Sequence, residues 1–197
     1  MIVVVGQPSA SRGPEPTAAG LAVAIARAAS GAGASVQLAG KLGDDPEGDA
    51  VLAGLARAGV GHAAVLRDPA LRTQVRGRGA SNGGPPPNLE PADVELALRY
   101  MPDFRVLVLA VPESPQLIGP AGEAAGFAGA HLIALTGRGN REFAVPGQST
   151  ILTVPAADSE GGFATLVGRY AAGLDAGLGP AAAWRAASEP LGIENPA

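Results

Sequence analysis

The sequence of 197 residues contains no cysteine and two histidines, His62 and His131, which lie far apart along the chain. The absence of cysteine excludes disulfide bonds, thiolate metal sites and cysteine nucleophiles. Two distant histidines do not favour a zinc site, and we identify no metal-ligating residues. We expect both histidines to lie at or beside strands, in the core or at an edge.

Charged residues are scarce as well, at 16% of the chain. Fourteen basic residues against eighteen acidic ones give a formal net charge of −4. The arginines that come close together, Arg72, Arg76 and Arg78, are few and have no aromatic residues between them. We therefore do not expect a nucleic acid partner.

Long hydrophobic runs are also missing. The longest aliphatic run, residues 106–111, has the length of a buried strand and is far too short to span a membrane. The apolar start, residues 1–6, lacks a basic leader and is too short for a signal peptide. We expect a cytoplasmic protein that does not enter a membrane.

Short β-branched or aliphatic segments alternate with longer alanine-rich segments. The short segments are residues 2–5, 36–39, 106–111, 131–135 and 150–154. This alternation predicts a mainly parallel sheet covered by helices. Because the chain is 47% hydrophobic, it has apolar mass for one sizeable core, and we expect residues 1–197 to form a single domain.

The alanine-rich segments carry apolar residues at helical spacing. The predicted buried stripes are Leu21, Ala24, Ile25 and Ala28; Val51, Leu52 and Leu55; Val94, Leu98 and Met101; and Phe163, Leu166, Val167, Tyr170 and Leu174. Predicted helix starts are Thr17, Asp45 with Pro46 and Glu47, and Asp158 or Ser159 with Glu160. Gly173, Gly177 and Gly179 are predicted to help end the helix that starts near Asp158.

Two segments predict loops. Residues 77–87, GRGASNGGPPP, are too rich in glycine and proline for a regular element. We interpret them as a loop between an edge hairpin and a helix that begins at Pro91. Residues 137–146 predict a second loop.

The most informative segment is residues 40–60, GKLGDDPEGDAVLAGLARAGV. Its glycines allow a strand to turn, Asp44 and Asp45 can cap a helix, and Gly59 can stop that helix before a new strand. It is not a Walker phosphate loop, because Lys41 is followed by leucine instead of serine or threonine. The segment resembles the Gly-Lys-x-Gly-x-Asp-x-x-Gly turn of ribokinase-like (PfkB) carbohydrate kinases.

Further segments resemble the same family in the same order. Residues 158–178, DSEGGFATLVGRYAAGLDAGL, are similar without gaps to the family's Asp-Thr-Thr-Gly-Ala-Gly-Asp signature and its following helix, and residues 181–187 resemble the next helix. The first strand and NLEPADVELAL at residues 88–98 also resemble family segments. The resemblance implies a ribokinase-like, Rossmann-like three-layer α/β sandwich. The chain is shorter than the family, which implies that it is truncated and lacks most of the substrate lid.

In the family, the last Asp of that signature is the base that activates the acceptor hydroxyl, and the preceding backbone amides bind phosphate. On the gapless match, Ala164 takes the position of the base and Phe163 that of a glycine. Gly161 and Gly162 remain as candidate residues for an anion or cofactor site. If the alignment slips, Asp158 in the sequence PAAD is the candidate substitute base.

The family's sugar-binding residues are also replaced. Ser11 falls where the first strand of the family carries an Asp that binds substrate hydroxyls, and EPTAAG at residues 15–20 replaces Gly-Gly-x-x-x-Asn. No Asn-x-x-Glu sequence, which organises magnesium and phosphates in the family, occurs in the chain. ATP and Mg²⁺ are nevertheless the cofactors, and a nucleotide or sugar the ligand, that the resemblance implies.

Three functions follow as hypotheses. The first is a catalytically inactive kinase with a binding or assembly role. The second is an active ATP-dependent kinase for a sugar or nucleoside hydroxyl, with a site rebuilt from Asp158, Glu160 or a partner subunit. The third is an unrelated α/β binding module, which would lack a helix beginning near Glu160. Because a lost lid would uncover an apolar sheet edge or face, we also expect a homodimer or higher oligomer.

Overall fold

The computed structural model describes residues 1–77, 84–101, 103–137, 147–156 and 161–192. The strands in these ranges are β1 Ile2–Gly6, β2 Ser9–Ser11, β3 Ala18–Ala19, β4 Val36–Gly43, β5 Val60–Asp68, β6 Val75–Arg76, β7 Val106–Ala110, β8 His131–Thr136 and β9 Ser149–Thr153. The helices are α1 Leu21–Gly31, α2 Pro46–Arg57, α3 Pro91–Arg99, α4 Ile118–Ala128, α5 Gly162–Asp175 and α6 Pro180–Ser188. None of these helices is long and apolar enough to cross a bilayer.

Six strands form one parallel sheet in the order β5-β4-β1-β7-β8-β9. The five strands predicted from the sequence are confirmed within a few residues at each end. The new strand expected after Gly59 is β5, which joins the sheet beside β4. The alternating pleat directs Ile2 and Val4 of β1 towards one face and Val3 and Val5 towards the other.

Helices cover both faces of this sheet. Ile2 and Val4 share a core with residues of α1, α2, α5 and α6. Val3 and Val5 share a second core with residues of α3 and α4. The expected three-layer α/β sandwich is therefore confirmed.

The buried face of α1 differs from the predicted stripe. Ala24 is exposed, and the buried residues of the helix are Ala22, Val23, Ile25, Ala26 and Ala29. The helix packs against the sheet and also against α5, so small side chains on two sides become buried. Thr17 does not cap α1: Gly20 is the N-cap residue, and the Thr17 amide donates instead to Ser11 Oγ at 3.0 Å.

The other helices follow the sequence more closely. Val51 and Leu55 are buried in α2, Val94 and Leu98 in α3, and Leu166, Val167 and Tyr170 in α5. Gly173 does not end α5, because it lies inside the helix, where its lack of a side chain admits Ala183 of α6. The predicted cap at Asp158 or Ser159 and most of the predicted loop at 137–146 lie outside the described residues.

A second, small sheet has the order β3-β2-β6. The prediction of an edge hairpin before the glycine- and proline-rich loop is wrong. Strand β5 belongs to the large sheet, and β6 pairs with β2 in the small one. The chain between them is held by the Thr73 amide, which donates to Asp45 Oδ2 at 2.8 Å. That contact directs β6 away from β5 and over the first strands.

Candidate functional site

The chain order of the large sheet reverses between β1 and β7. After β1 the chain builds β4 and β5 outward on one side, and after β7 it builds β8 and β9 on the other. In open parallel sheets, ligands bind at such a switch point, beyond the carboxyl ends of the strands. Gln7 follows β1 directly, and Val111 follows β7 directly.

A cleft of about 370 Å³ lies at this point. We call it the switch-point cleft. Its lining comes from the ends of β1 and β7, the start of α1, the small sheet and the segment before α3. The lining residues are Gln7, Leu21, Ala22, Gln74, Arg76, Pro87, Asn88, Leu89, Ala110, Val111, Pro112, Glu113 and Ser114.

Gln7 is the most constrained polar side chain of the cleft. Its Nε2 donates to the backbone oxygen of Lys41 at 2.6 Å, which fixes the amide between β1 and β4. Its Oε1 is buried and accepts no hydrogen bond from the described residues. A buried acceptor without a partner costs about 1–3 kcal/mol, so a ligand donor at this oxygen would recover that energy.

The small sheet brings a cation to the cleft. Arg76 on β6 donates from Nε to Ser9 Oγ on β2 at 3.2 Å. Ala10 and Ser11 of β2 pair with Val75 and Arg76 of β6 in register. The seven residues of β2, β3 and β6 therefore hold one guanidinium over the carboxyl end of β1.

The Gly-Lys-x-Gly-x-Asp segment has a structural role here. Asp45 Oδ1 accepts from the Gly48 amide at 2.8 Å and thereby caps α2, as predicted. Asp44 does not cap the helix; it pairs with Arg67 at 2.6 Å. Burial alone would raise the pKa of the Asp45 carboxyl, but hydrogen bonds from Thr73 and Gly48 and the charge of Arg72 together lower it.

Lys41, the single lysine of the chain, also has a structural contact. Its Nζ lies 3.3 Å from Asp93 Oδ2, and the same oxygen accepts from the Glu90 amide at 3.0 Å. This ion pair ties the end of β4 to the first turn of α3. Lys41 does not line the switch-point cleft.

The segment that resembles the kinase signature enters α5. Gly161 is the N-cap residue, in the left-handed conformation with φ 68° and ψ 17°, and Gly162 is the first residue of the helix. Ala164 is 3% exposed and lies in the core with Leu166 and Val167, against which the half-buried Phe163 packs. Asp158 and Glu160 lie outside the described residues, so their placement as substitute catalytic groups stays a prediction.

Ser11 does not line the cleft. Its Oγ lies 2.9 Å from Thr17 Oγ1 and accepts from the Thr17 amide, which closes the connection between β2 and β3. The residues 15–20 supply β3 and the N-cap Gly20. The structure therefore assigns these positions to the small sheet itself.

The two histidines have different surroundings. His131 opens β8, is 8% exposed, and its Nε2 lies 2.8 Å from Thr150 Oγ1, which in turn lies 2.9 Å from the Tyr170 hydroxyl. Burial lowers the pKa of His131, and a hydrogen bond with Gln148 partly opposes that shift. His62 lies on β5 with its Nδ1 3.3 Å from the backbone oxygen of Val60.

In the part of the chain that the structure describes, no three His, Asp or Glu side chains are grouped as metal ligands.

Sequence reasoning missed Gln7 and Arg76. Gln7 had a usable signal, because it is the first polar residue after the first predicted strand and such residues meet at the carboxyl edge of a parallel sheet. Arg76 had no such signal in the sequence, because its position depends on the pairing of β6 with β2, which are more than sixty residues apart.

The sequence matches one family model. Residues 4–80 match the model of the pfkB family carbohydrate kinases, a range that contains the Gly-Lys-x-Gly-x-Asp segment and the small sheet. A comparison with curated proteins gives no significant match.

Solved structures give the same fold. A protein called Sa239 aligns with a TM-score of 0.68 at 16% identity, over 100% of this chain and 95% of its own. The putative ribokinase II of E. coli in complex with ATP and Mg²⁺ aligns with a TM-score of 0.65 at 13% identity, over 94% and 89%. The uncharacterized sugar kinase PH1459 of Pyrococcus horikoshii with ATP aligns at 0.53 and 15% identity, over 72% of this chain and 54% of that one. At these identities the likeness shows the fold alone, which is ribokinase-like.

Proposed function

We propose that this chain, a sugar-kinase-like protein of the pfkB family, binds a small polar ligand but does not transfer phosphate to it. Ala164 is the observation that carries the proposal. The gapless match assigns it the position of the family's base, and its methyl group is 3% exposed in the apolar core.

A methyl group cannot accept the proton of an acceptor hydroxyl. General base assistance is worth about 10² to 10⁴ in rate, so its loss removes a large part of the catalytic effect. Phe163 adds a second obstacle, because a phenyl ring stands where the family's glycine lets phosphate approach the backbone. The packing of Phe163 against the core supports a structural role for this turn of α5.

The switch-point cleft supports the binding role. Gln7, Gln74, Arg76, Asn88 and Ser114 place amide, guanidinium and hydroxyl groups around one cavity. Such groups suit a ligand with several hydroxyls, and the buried Gln7 Oε1 is an acceptor for one of them. We therefore propose a polyhydroxylated small molecule, such as a monosaccharide, as the ligand class.

Nucleotide binding is a separate question. The putative ribokinase II of E. coli was solved in complex with ATP and Mg²⁺. In this chain Gly161 and Gly162 are the candidate contacts for phosphates, through backbone amides at the start of α5. The described residues offer no ligand set for Mg²⁺, and we derive no catalytic step through that ion.

Isothermal titration calorimetry tests the proposal. The protein is titrated with a panel of monosaccharides and with ATP and ADP, with and without Mg²⁺, and ADP release is measured in parallel. We expect heat with at least one monosaccharide and no ADP release. Gln7→Leu is expected to abolish that heat, whereas Gln116→Leu, an exposed glutamine outside the cleft, should leave it unchanged.

Two results would change the conclusion. ATP-dependent phosphorylation of a sugar or nucleoside by the pure protein would overturn the inactive-kinase proposal in favour of a rebuilt site, and Asp158→Asn would then show whether Asp158 is its base. Absence of heat with every monosaccharide would overturn the ligand class and leave an assembly role.

A further inference from the structure

Exposed apolar side chains concentrate on two neighbouring helices. The chain has four Phe, two Tyr and one Trp. Two of these, Phe127 on α4 and Tyr100 at the end of α3, are 94% and 78% exposed, and Leu96 on α3 is 42% exposed. A protein with so few aromatic residues thus presents two of them to solvent on one pair of helices.

A groove runs between the same helices. It has a volume of about 310 Å³, and Leu98, Phe104, Ala124 and Ala128 form its apolar walls. Phe127 stands at its rim. An exposed phenyl ring therefore lies beside a cavity with mainly apolar walls, and both belong to one surface.

Charges of both signs border this groove. Glu95 and Arg99 are one turn apart on α3, and Glu123 lies on α4. Within the described ranges none of the three forms an ion pair. The surface formed by Glu95, Leu96, Arg99, Tyr100, Glu123 and Phe127 is called the α3–α4 face below.

We propose that the α3–α4 face binds a second copy of this chain across a two-fold axis. When two α3 helices pack antiparallel along their exposed edges, with the two-fold axis level with the midpoint between Glu95 and Arg99, Glu95 of each copy lies opposite Arg99 of the other. Both ion pairs then form at once, as an isologous interface requires. Phe127 of each copy enters the groove of its partner, so each ring and each cavity is filled.

The other exposed apolar residues do not offer such a surface. Ile151 on β9 and Leu178 after α5 are 43% and 44% exposed, and each stands alone on its element. The sequence led us to expect an oligomer that covers an edge or face of the sheet. The residues point instead to the outer helical layer.

The interface is small. Helices of 9 and 11 residues are about 14 and 16 Å long, and interfaces at the small end of the known range are weak. We therefore expect a dissociation constant on the order of micromolar.

Sedimentation equilibrium of the whole chain from about 1 to about 100 μM covers that range. We expect a reversible monomer–dimer equilibrium. Phe127→Ser should weaken it at least about tenfold, since burial of an aromatic side chain dominates small interfaces. Ile151→Ser, which removes an equally apolar exposed residue from another face, should leave it unchanged.

A charge exchange tests the orientation. Arg99→Glu places two acids opposite one another and should weaken the dimer, whereas Arg99→Glu combined with Glu95→Arg should restore it. Misfolding cannot produce such a restoration. The proposal is overturned if the wild type remains monomeric at the highest concentration, if Phe127→Ser dimerises like the wild type, or if the double exchange stays as weak as the single one.

Discussion

Two helices of this protein begin at the carboxyl edge of the large sheet in very different ways. Helix α2 supplies every element of a stable start from its own sequence. The Asp45 carboxylate accepts the Gly48 amide at 2.8 Å, Pro46 is the first helical residue, and Glu47 and Asp49 place negative charge in the first turn. The second carboxylate oxygen of Asp45 accepts a hydrogen bond from the Thr73 amide, so the cap also anchors the chain that leads to the small sheet.

Among the described residues, helix α5 begins with neither a side-chain cap nor an acidic first turn. Gly161, the N-cap residue, holds a left-handed conformation and has no side chain to cap the helix, and the first turn, residues 162–165, contains no acidic residue. The first amides of a helix attract an anion unless the chain neutralises them. The turn before α2 therefore has a structural role, whereas Gly161 and Gly162 stay candidates for phosphate binding.

Removal of the α2 cap is the largest effect we expect. Asp45→Ala deletes two hydrogen bonds to backbone amides from a carboxylate that is 6% exposed. The free energy of unfolding should fall by about 3 kcal/mol, measured by urea denaturation.

Asp44 is a matched control for that variant. It is the preceding aspartate, its side chain is 59% exposed, and its carboxylate pairs with Arg67 on the surface. Asp44→Ala should therefore cost about 0.5 kcal/mol. Equal losses in the two variants would show that the cap is not what stabilises the start of α2.

Gly161→Ala tests the α5 side of the comparison. Apart from its two chain neighbours, no described residue has an atom within 4 Å of the position that a Cβ would take, so the expected effect of the change is backbone strain. At φ 68° an L-residue should lose about 1 kcal/mol of stability. Gly179→Ala, at φ −66° and equally open, should cost no more than about 0.5 kcal/mol. A loss of the same size at both glycines would contradict the left-handed start of α5.

An acid in the first turn of α5 would make the two helix starts alike. Gly162→Glu should raise the free energy of unfolding by about 0.5 kcal/mol, because the carboxylate stabilises the positive end of the helix. The same variant should weaken any binding of ADP, since the new charge repels phosphate. Unchanged ADP affinity in calorimetry would place the phosphates elsewhere.

The sequence predicted the features of this fold that depend on interactions between nearby residues. The α2 cap was predictable because Gly48, which donates a hydrogen bond to Asp45, lies three residues away along the chain. The buried strands were predictable because β-branched runs are local. Helix α4 was missed, since an alanine- and glycine-rich segment has weak periodicity. The exposed face of α1 was misplaced because α5 covers its second side. The cleft around Gln7 and Arg76 depends on distant strand pairing, which no local pattern reports.

Mild acid should lower the free energy of unfolding through His131, on the α5 side of the molecule, and should spare the α2 cap. This is the smallest effect that we expect. The pKa of His131 is lowered in the folded protein, mainly by burial, against a usual value of 6.5. Below about pH 6.5 the unfolded chain therefore takes up the proton first, and the free energy of unfolding falls with pH. The lowered pKa of Asp45 acts only below its usual value of 3.8. Mild acid should thus weaken the contact of β8 and β9 with Tyr170 while the α2 cap persists.

Denaturation at about pH 7.5 and about pH 5 measures this difference. His131→Gln should flatten the dependence on pH, because the group that binds the proton in the unfolded chain is gone. His62→Gln, on the distant edge strand β5, should retain the wild-type loss. If His131→Gln instead keeps the full slope, the assignment of acid sensitivity to the α5 side is wrong.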